Sequence, residues 1–285
     1  MSNNGWRYYN HAMIPTCAPH EEPDLTPVHN GDIWKSTTRG RRPLLARWTT
    51  DFDCDEETNW WYVIKDTAFD IQALKAKRRY EITKGCKYFD VFHMANPADY
   101  AEELYAVQVA AFSAYPEKYR PTVNKDRFIQ SVKKWKTSAV VYGGFSKQDG
   151  KLCGYAYLVR EGSVLHFYVL KTDPIQEKYG LNAAIIYKIL EDVKSEFKEQ
   201  FYICDGARSI LHETAFQNYL EKYFGFRKAY CRLHIAYNPM AKRLVLFLYH
   251  FRNLFQKLDT IGAIHSINGV LAMHKIFTEQ EKKYE

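Results

Sequence analysis

At 285 residues, 46% of them hydrophobic and 16% aromatic, the chain can bury one large core or two modest ones, and no internal repeat or low-complexity tract interrupts it. A net charge of +7 is modest for this length and does not by itself demand a nucleic-acid partner. Its six cysteines, Cys17, Cys54, Cys86, Cys153, Cys204 and Cys231, are scattered without a C-x-x-C, which argues against a disulfide framework or a zinc site and for buried or incidental thiols.

In chain order, Met1 to Met13 has no apolar run behind a basic start, so the sequence predicts no signal peptide and a cytosolic chain. Pro15, Pro19, Pro23, Pro27 and Pro43 then mark residues 15 to 43 as an irregular surface segment. The aromatic triplet Trp60-Trp61-Tyr62 follows. Between Lys75 and Lys87, the basic residues Lys75, Lys77, Arg78, Arg79, Lys84 and Lys87 face only Glu81. On a helix with Phe69, Ala73 and Leu74 turned inward, they could present phosphate-binding side chains; a solvated basic face is the plainer alternative. A strand is expected from Lys87 to Met94 and a helix from Ala98 to Ser113, with Asn96-Pro97 as a domain seam between them.

Ala139 to Gly144 and Leu152 to Arg160 predict a hairpin closed by the Asp149-Gly150 turn, and Ser163 to Leu170 a further strand. Leu181, Ile185, Ile189, Val193 and Phe197 recur every four positions, the pattern of an amphipathic helix. Phe201 to Cys204 reads as a short buried strand ended by Asp205-Gly206. Thr214 and Gln217 form a T-x-x-Q capping box for a second helix, which should stop at Gly225 with Phe226 packed back on its last turn. From Ala229 to Tyr237 the period becomes two, predicting one half-buried strand.

Asn238-Pro239 is the second seam, so the expected divisions are 1–95, 96–238 and 239–285. In the last, Leu244, Phe247, Phe251, Leu254, Phe255 and Leu258 form a stripe near Lys242, Arg243, Arg252 and Lys257. Docking of this stripe onto the folded body is the first expectation and peripheral contact with a membrane, at its inner face, the second.

The order strand, Gly-containing loop and helix, strand, helix ending in Gly-Phe resembles the GNAT acyltransferase superfamily. Trp60-Trp61-Tyr62 and the block Asp70 to Gly85 are similar to its Fem-type branch, whose enzymes pass aminoacyl groups from tRNA to a cell-wall precursor. The resemblance spans residues 60 to 238. It implies a mixed α/β (α+β) GNAT-like fold with an N-terminal extension and a C-terminal helical tail. The implied activity is transfer of an acyl or aminoacyl group from acyl-coenzyme A or aminoacyl-tRNA to an amine of a small or lipid-linked anionic acceptor, without metal. A binding module that has lost catalysis is the other reading.

The resemblance also places the candidate residues. The donor segment falls on Asp173 to Ala184, where Gly180 fits the family's loop, Gln176 stands one residue too early, and Gln176, Lys178, Gly180 and Asn182 are the donor-binding candidates. It departs from the family pattern at Asn182, where a second small residue is usual, and at Glu177, where Gln or Arg is usual. Arg79, within the Fem-like block, with Lys75 and Arg208, is a candidate for the anionic substrate. His166, on the strand that lines the reaction cleft in this superfamily, and Asp205, at a strand end, are the catalytic candidates, since aminolysis needs a group to take the amine's proton. The family's tyrosine acid falls on Glu221, so that role is not transferred. No serine or cysteine stands in a nucleophile motif, which favours direct transfer.

Overall fold

The computed structural model describes residues 5–35, 42–117, 120–135, 137–198, 200–210, 215–259 and 262–284. The chain forms two units, one of Met1–Val63, Ala207–Ala215 and Lys228–Glu285, the other of Ile64–Gly206 and Phe216–Arg227.

Numbered along the chain, the first unit holds β1 (Trp6–Tyr9), β2 (Ala12–Pro15), the single helical turn α1 (Thr26–His29) and β3 (Leu45–Thr50). Strands β4 (Trp61–Lys65) and β10 (Arg227–Tyr230) carry the chain between units, and β11 (Arg232–Tyr237), α8 (Pro239–His250), α9 (Arg252–Lys257) and α10 (Gly262–Tyr284) complete it. The second unit holds α2 (Ala76–Tyr88), β5 (Phe89–His93), α3 (Ala101–Ser113), α4 (Lys125–Val132), β6 (Ala139–Ser146), β7 (Leu152–Glu161) and β8 (Val164–Thr172). The short α5 (Pro174–Glu177), α6 (Leu181–Asp192), β9 (Tyr202–Ala207) and α7 (Ala215–Phe224) follow.

In the first unit the sheet order is β1-β2-β3-β11. Asn10 and His11 turn the β1–β2 hairpin with φ of 46° and 64°, left-handed values that the short polar side chain of Asn tolerates. β11 runs antiparallel to β3, with Leu45 opposite Tyr237 and Thr50 opposite Arg232. One cluster joins Leu45, Trp60, Cys231, Leu233 and Ile235 to Ile276 of α10; another joins Trp6, Met13, Ile33 and Ala46. The alternation from Ala229 to Ile235 is present, but the expected single strand is two. At Cys231 the backbone N–H donates to Trp60 O at 3.0 Å and the carbonyl accepts from Thr58 Oγ1 at 2.8 Å. Those bonds, with Gln280 Oε1 accepting from the Leu233 N–H at 3.0 Å, divert the chain from one ladder into another.

In the second unit β5, β6, β7 and β8 pair antiparallel in sequence, and β9 joins β8 in parallel. α3 and α4 cover one face through Leu104, Val107 and Val132 on Leu152 and Tyr155. α6 covers the other, and Gly144 and Gly154 let it approach: a Cβ at Gly144 would lie 2.6 Å from Leu181, and one at Gly154 2.9 Å from it. This is the mixed-sheet α+β arrangement expected, followed by the C-terminal helices.

Several element bounds differ from expectation. α6 stops at Asp192, where Lys188 Nζ meets its carboxylate at 2.6 Å, and Phe197 lies in a separate 3₁₀ turn. The four-residue spacing ran past the helix because apolar residues in the following turn kept the period by coincidence. α2 takes Lys87 and Tyr88 from the expected strand, and a 3₁₀ turn, Pro97–Tyr100, precedes α3. Phe69 is buried, but Ala73 lies in a 3₁₀ turn and is exposed. β9 continues through Asp205 to Ala207. Gly225 ends α7 at φ 67°, as expected, with Phe226 buried and its N–H 3.4 Å from Leu220 O. Thr214 lies outside the described residues.

Candidate functional site

The second unit's sheet parts at one place. β8 pairs β9 only at Val164–Tyr202, Leu165–Ile203 and His166–Cys204, although β8 continues to Thr172. Among the described residues, the backbone groups of β8 beyond His166 have no strand ladder on that side. On its other side β8 stays paired to β7, with a register shift: Tyr157 opposes Val169 and Leu158 opposes Phe167, so Tyr168 is the extra residue of a β-bulge. A bulge bends and twists its strand, here at the point where β9 is left behind. Buried Leu165 and Ile203 hold the closed end together, and Phe167 packs on Phe216 of α7 at 5.4 Å. Tyr168 is left 45% exposed at the parting.

The two catalytic candidates flank this opening. His166 stands in register with Cys204, so Asp205, one residue on, points to the opposite face. The structure therefore brings both to the parting without joining them. His166 Nε2 is 3.4 Å from Glu161 Oε2, and its ring centroid lies 6.0 Å from that of Tyr168. Asp205 reaches toward α7. Burial pushes its carboxyl up to about 7, with the Gln217 side chain drawing it the other way. Gln217, whose capping partner Thr214 lies outside the described residues, is buried here and bonds Asp205. Cys204 is fully enclosed, its thiol pushed up to about 12 by burial, which removes it as a nucleophile near neutral pH.

The donor segment is engaged by the protein itself. Gly180 caps α6 at φ 84°, and a Cβ there would lie 2.5 Å from Glu81 O and 3.0 Å from Gly85 N, both on α2. Thr172 Oγ1 donates to Asn182 Oδ1 at 2.8 Å and contacts Glu177 Oε1 at 3.3 Å. Lys84 Nζ donates to Lys178 O at 2.9 Å. Gly180 is thus the seat of a close helix crossing, while the Lys178 side chain is exposed and Gln176 half-buried beside it.

The basic block is divided in the same way. Arg78 lies over the Tyr223 ring, 3.4 Å from its centroid, and pairs with Glu81 at 2.7 Å. Tyr219 Oη donates to Glu81 at 3.3 Å and is held well above the ordinary tyrosine range by burial. Arg79 reaches Gln72 O at 3.2 Å and Gln72 Oε1 at 3.3 Å, and Lys75, at the N-cap of α2, is exposed. Arg208 belongs to the first unit, where it donates to Asn59 O at 2.7 Å and stacks 4.3 Å from the Trp61 ring centroid. Tyr168 and the Arg78–Glu81–Tyr219 cluster were missed in the sequence. Among the described residues no group of His, Cys, Asp and Glu could hold a metal ion, and no helix is long and apolar enough to cross a membrane.

No protein-family model and no curated protein matches the sequence. Among solved structures, the chain is similar to a conserved protein of unknown function from Bacteroides thetaiotaomicron, with 13% identity, a TM-score of 0.50, and 74% of each chain covered. It is also similar to L-PGS from Bacillus licheniformis, with 13% identity and a TM-score of 0.48 over 82% of this chain and 79% of that one. A tandem GNAT protein from the clavulanic acid biosynthesis pathway aligns with 10% identity and a TM-score of 0.39 over 69% and 65%. The likeness to the Bacteroides protein is one of fold.

Proposed function

We propose that this chain is an acyltransferase that moves an acyl or aminoacyl group from a thioester or ester donor to an amine, by direct transfer in the opening between β8 and β9. The observation that carries the reading is the parting of these parallel strands beyond His166, with a carboxyl of raised pKa at its edge. Unpaired backbone groups of β8 can hold an extended donor arm as a further strand would. An ammonium acceptor must lose its proton before its nitrogen attacks, and a base near neutrality does this at little cost. In the step, the N–C bond forms, the donor's C–S or C–O bond breaks, and Asp205 takes the attacking amine's proton and passes it to the departing thiolate or alkoxide. His166, on the other face, is assigned a positioning role through Glu161.

The acceptor class in this reading is an amine on an anionic sugar or cell-wall-type precursor, with Arg79 and Lys75 as its anion contacts. For the donor, the burial of Gly180 against α2 and the carboxylate of Glu177 favour aminoacyl-tRNA, the Fem-type donor, over a coenzyme A pyrophosphate seated at the start of α6. The same burial favours a second reading, a binding module of this fold without catalysis. Titrating acyl-coenzyme A and aminoacyl-tRNA at two salt concentrations separates the cases. The expected result is tRNA binding that weakens steeply with salt, because each phosphate contact releases counterions. Salt-insensitive coenzyme A binding would reverse the donor choice, and binding of neither would support the module.

A further inference from the structure

α8 carries apolar side chains on its outward as well as its inward side. Val245 is buried, with Leu248 and Tyr249 half-buried beside it, which fixes the inward side. Outward stand Met240, 83% exposed, Leu244, 57%, and Phe247, 62%, with Phe251, 47%, at the helix end. Spacings of four, three and four residues put them along one face. The rings of Phe247 and Phe251 lie 5.3 Å apart, and in α9 Leu254 and Leu258 at its C-cap continue the exposure at 56% and 42%. The stripe expected to dock on the folded body is thus largely uncovered. A grouped exposure of large apolar side chains marks an interaction surface.

The charges name the occupant. From Pro239 to Leu258 the chain carries Lys242, Arg243, Arg252 and Lys257 and no Asp or Glu. Arg252 is held over the Tyr249 ring at 4.6 Å, whereas Lys242, Arg243 and Lys257 are exposed and have no ion-pair partner among the described residues. A second copy on this face would set these like charges against each other. An anionic lipid surface meets both features, its acyl region taking the apolar side chains and its phosphates the cations, which keep their charged ends at the interface while their stems lie along apolar surface.

The geometry points to α8 and α9 as a peripheral docking face for an anionic phospholipid surface. Leu244, Phe247 and Leu254 enter the acyl boundary, and Lys242, Arg243 and Lys257 lie at phosphate level. This placement is independent of the proposed transfer reaction.

The test is co-sedimentation of the purified chain with vesicles of phosphatidylcholine alone and of phosphatidylcholine mixed with phosphatidylglycerol. Binding should favour the mixed vesicles and weaken as salt is raised. Replacing Lys242→Gln, Arg243→Gln or Lys257→Gln should each weaken it about fivefold. Phe247→Asn with Leu254→Asn should weaken it at least about tenfold on either salt, with an unchanged melting curve because both side chains are exposed. Absence of binding to the mixed vesicles, equal binding to both kinds, or unaltered binding by the Asn variant would overturn the proposal. So would a dimer, seen by sedimentation velocity, that the Asn variant converts to monomer.

Discussion

Replacing Asp205→Asn should make the protein more stable and less active, with the stability gain absent in acid, growing as pH rises above about 4 and complete above about 7. Burial raises this carboxyl from 3.8 to about 7. A group that holds its proton more tightly in the folded state costs folding nothing below its unfolded value. As pH rises it progressively favours the unfolded state, and the effect levels off above its folded value. The interval from 3.8 to about 7, fully expressed, corresponds to about 4 kcal/mol at 1.36 kcal/mol per pH unit. The strand-end position leaves the residue half-buried, and solvent screening reduces the figure to about 2 kcal/mol. Asn keeps the shape and the bond to Gln217 and carries no charge to desolvate. For a chain of this size that gain corresponds to about 4 °C in melting temperature near pH 8 and none near pH 4. Thermal denaturation of both proteins across that range reads it directly. If Asp205 also takes the acceptor's proton, the variant should lose about 10²- to 10⁴-fold in transfer rate. Equal melting curves at both pH values would refute the burial argument, and a stabilised variant with undiminished transfer would remove Asp205 as the base.

Other outcomes follow from the helix crossing and the basic block. Gly85→Ala in α2 should destabilise by up to about 2 kcal/mol in a denaturant titration, because overpacking against backbone costs up to about 3 kcal/mol and is offset only by the ~1 kcal/mol gained in helix propensity. The reason is that its Cβ would lie 2.3 Å from Gly180 O, a backbone atom, and 2.8 Å from Ala184 Cβ. A stabilised variant would mean that the two helices separate freely. Arg79→Ala should change stability by less than ~0.5 kcal/mol, its bonds being long ones to Gln72, while weakening binding of an anionic acceptor in an equilibrium titration. An unfolded variant would make Arg79 structural.

The local parts of this fold were legible in the sequence. Gly225 marked the end of α7 because a left-handed cap is a property of a single residue, and the turn at Asp149-Gly150 follows from the same chemistry, Gly150 having φ 71°. Leu181, Ile185 and Ile189 marked the buried side of α6, which is further enclosed through Ala183, Ala184, Ile186 and Leu190. Features set by distant partners were not legible. The change of sheet at Cys231 depends on Thr58, Trp60 and Gln280, and the bulge at Tyr168 is a register between β7 and β8 rather than a composition. Gly180 was read as an anion-binding glycine because a loop opening a helix looks alike from either cause. Only the approach of α2 shows which neighbour needs the missing Cβ. The C-terminal stripe was visible as a period, but whether anything covers it is a tertiary fact.

The proposed reaction requires the donor to lie in the opening between β8 and β9, which amide hydrogen exchange of the second unit, with and without a bound non-hydrolysable donor, reads out. New protection is expected at the β8 amides from Phe167 to Thr172 that point away from β7, with the paired segment Val164 to His166 little changed. Protection confined to the start of α6, or a bound donor that leaves these β8 amides exchanging as before, would contradict it.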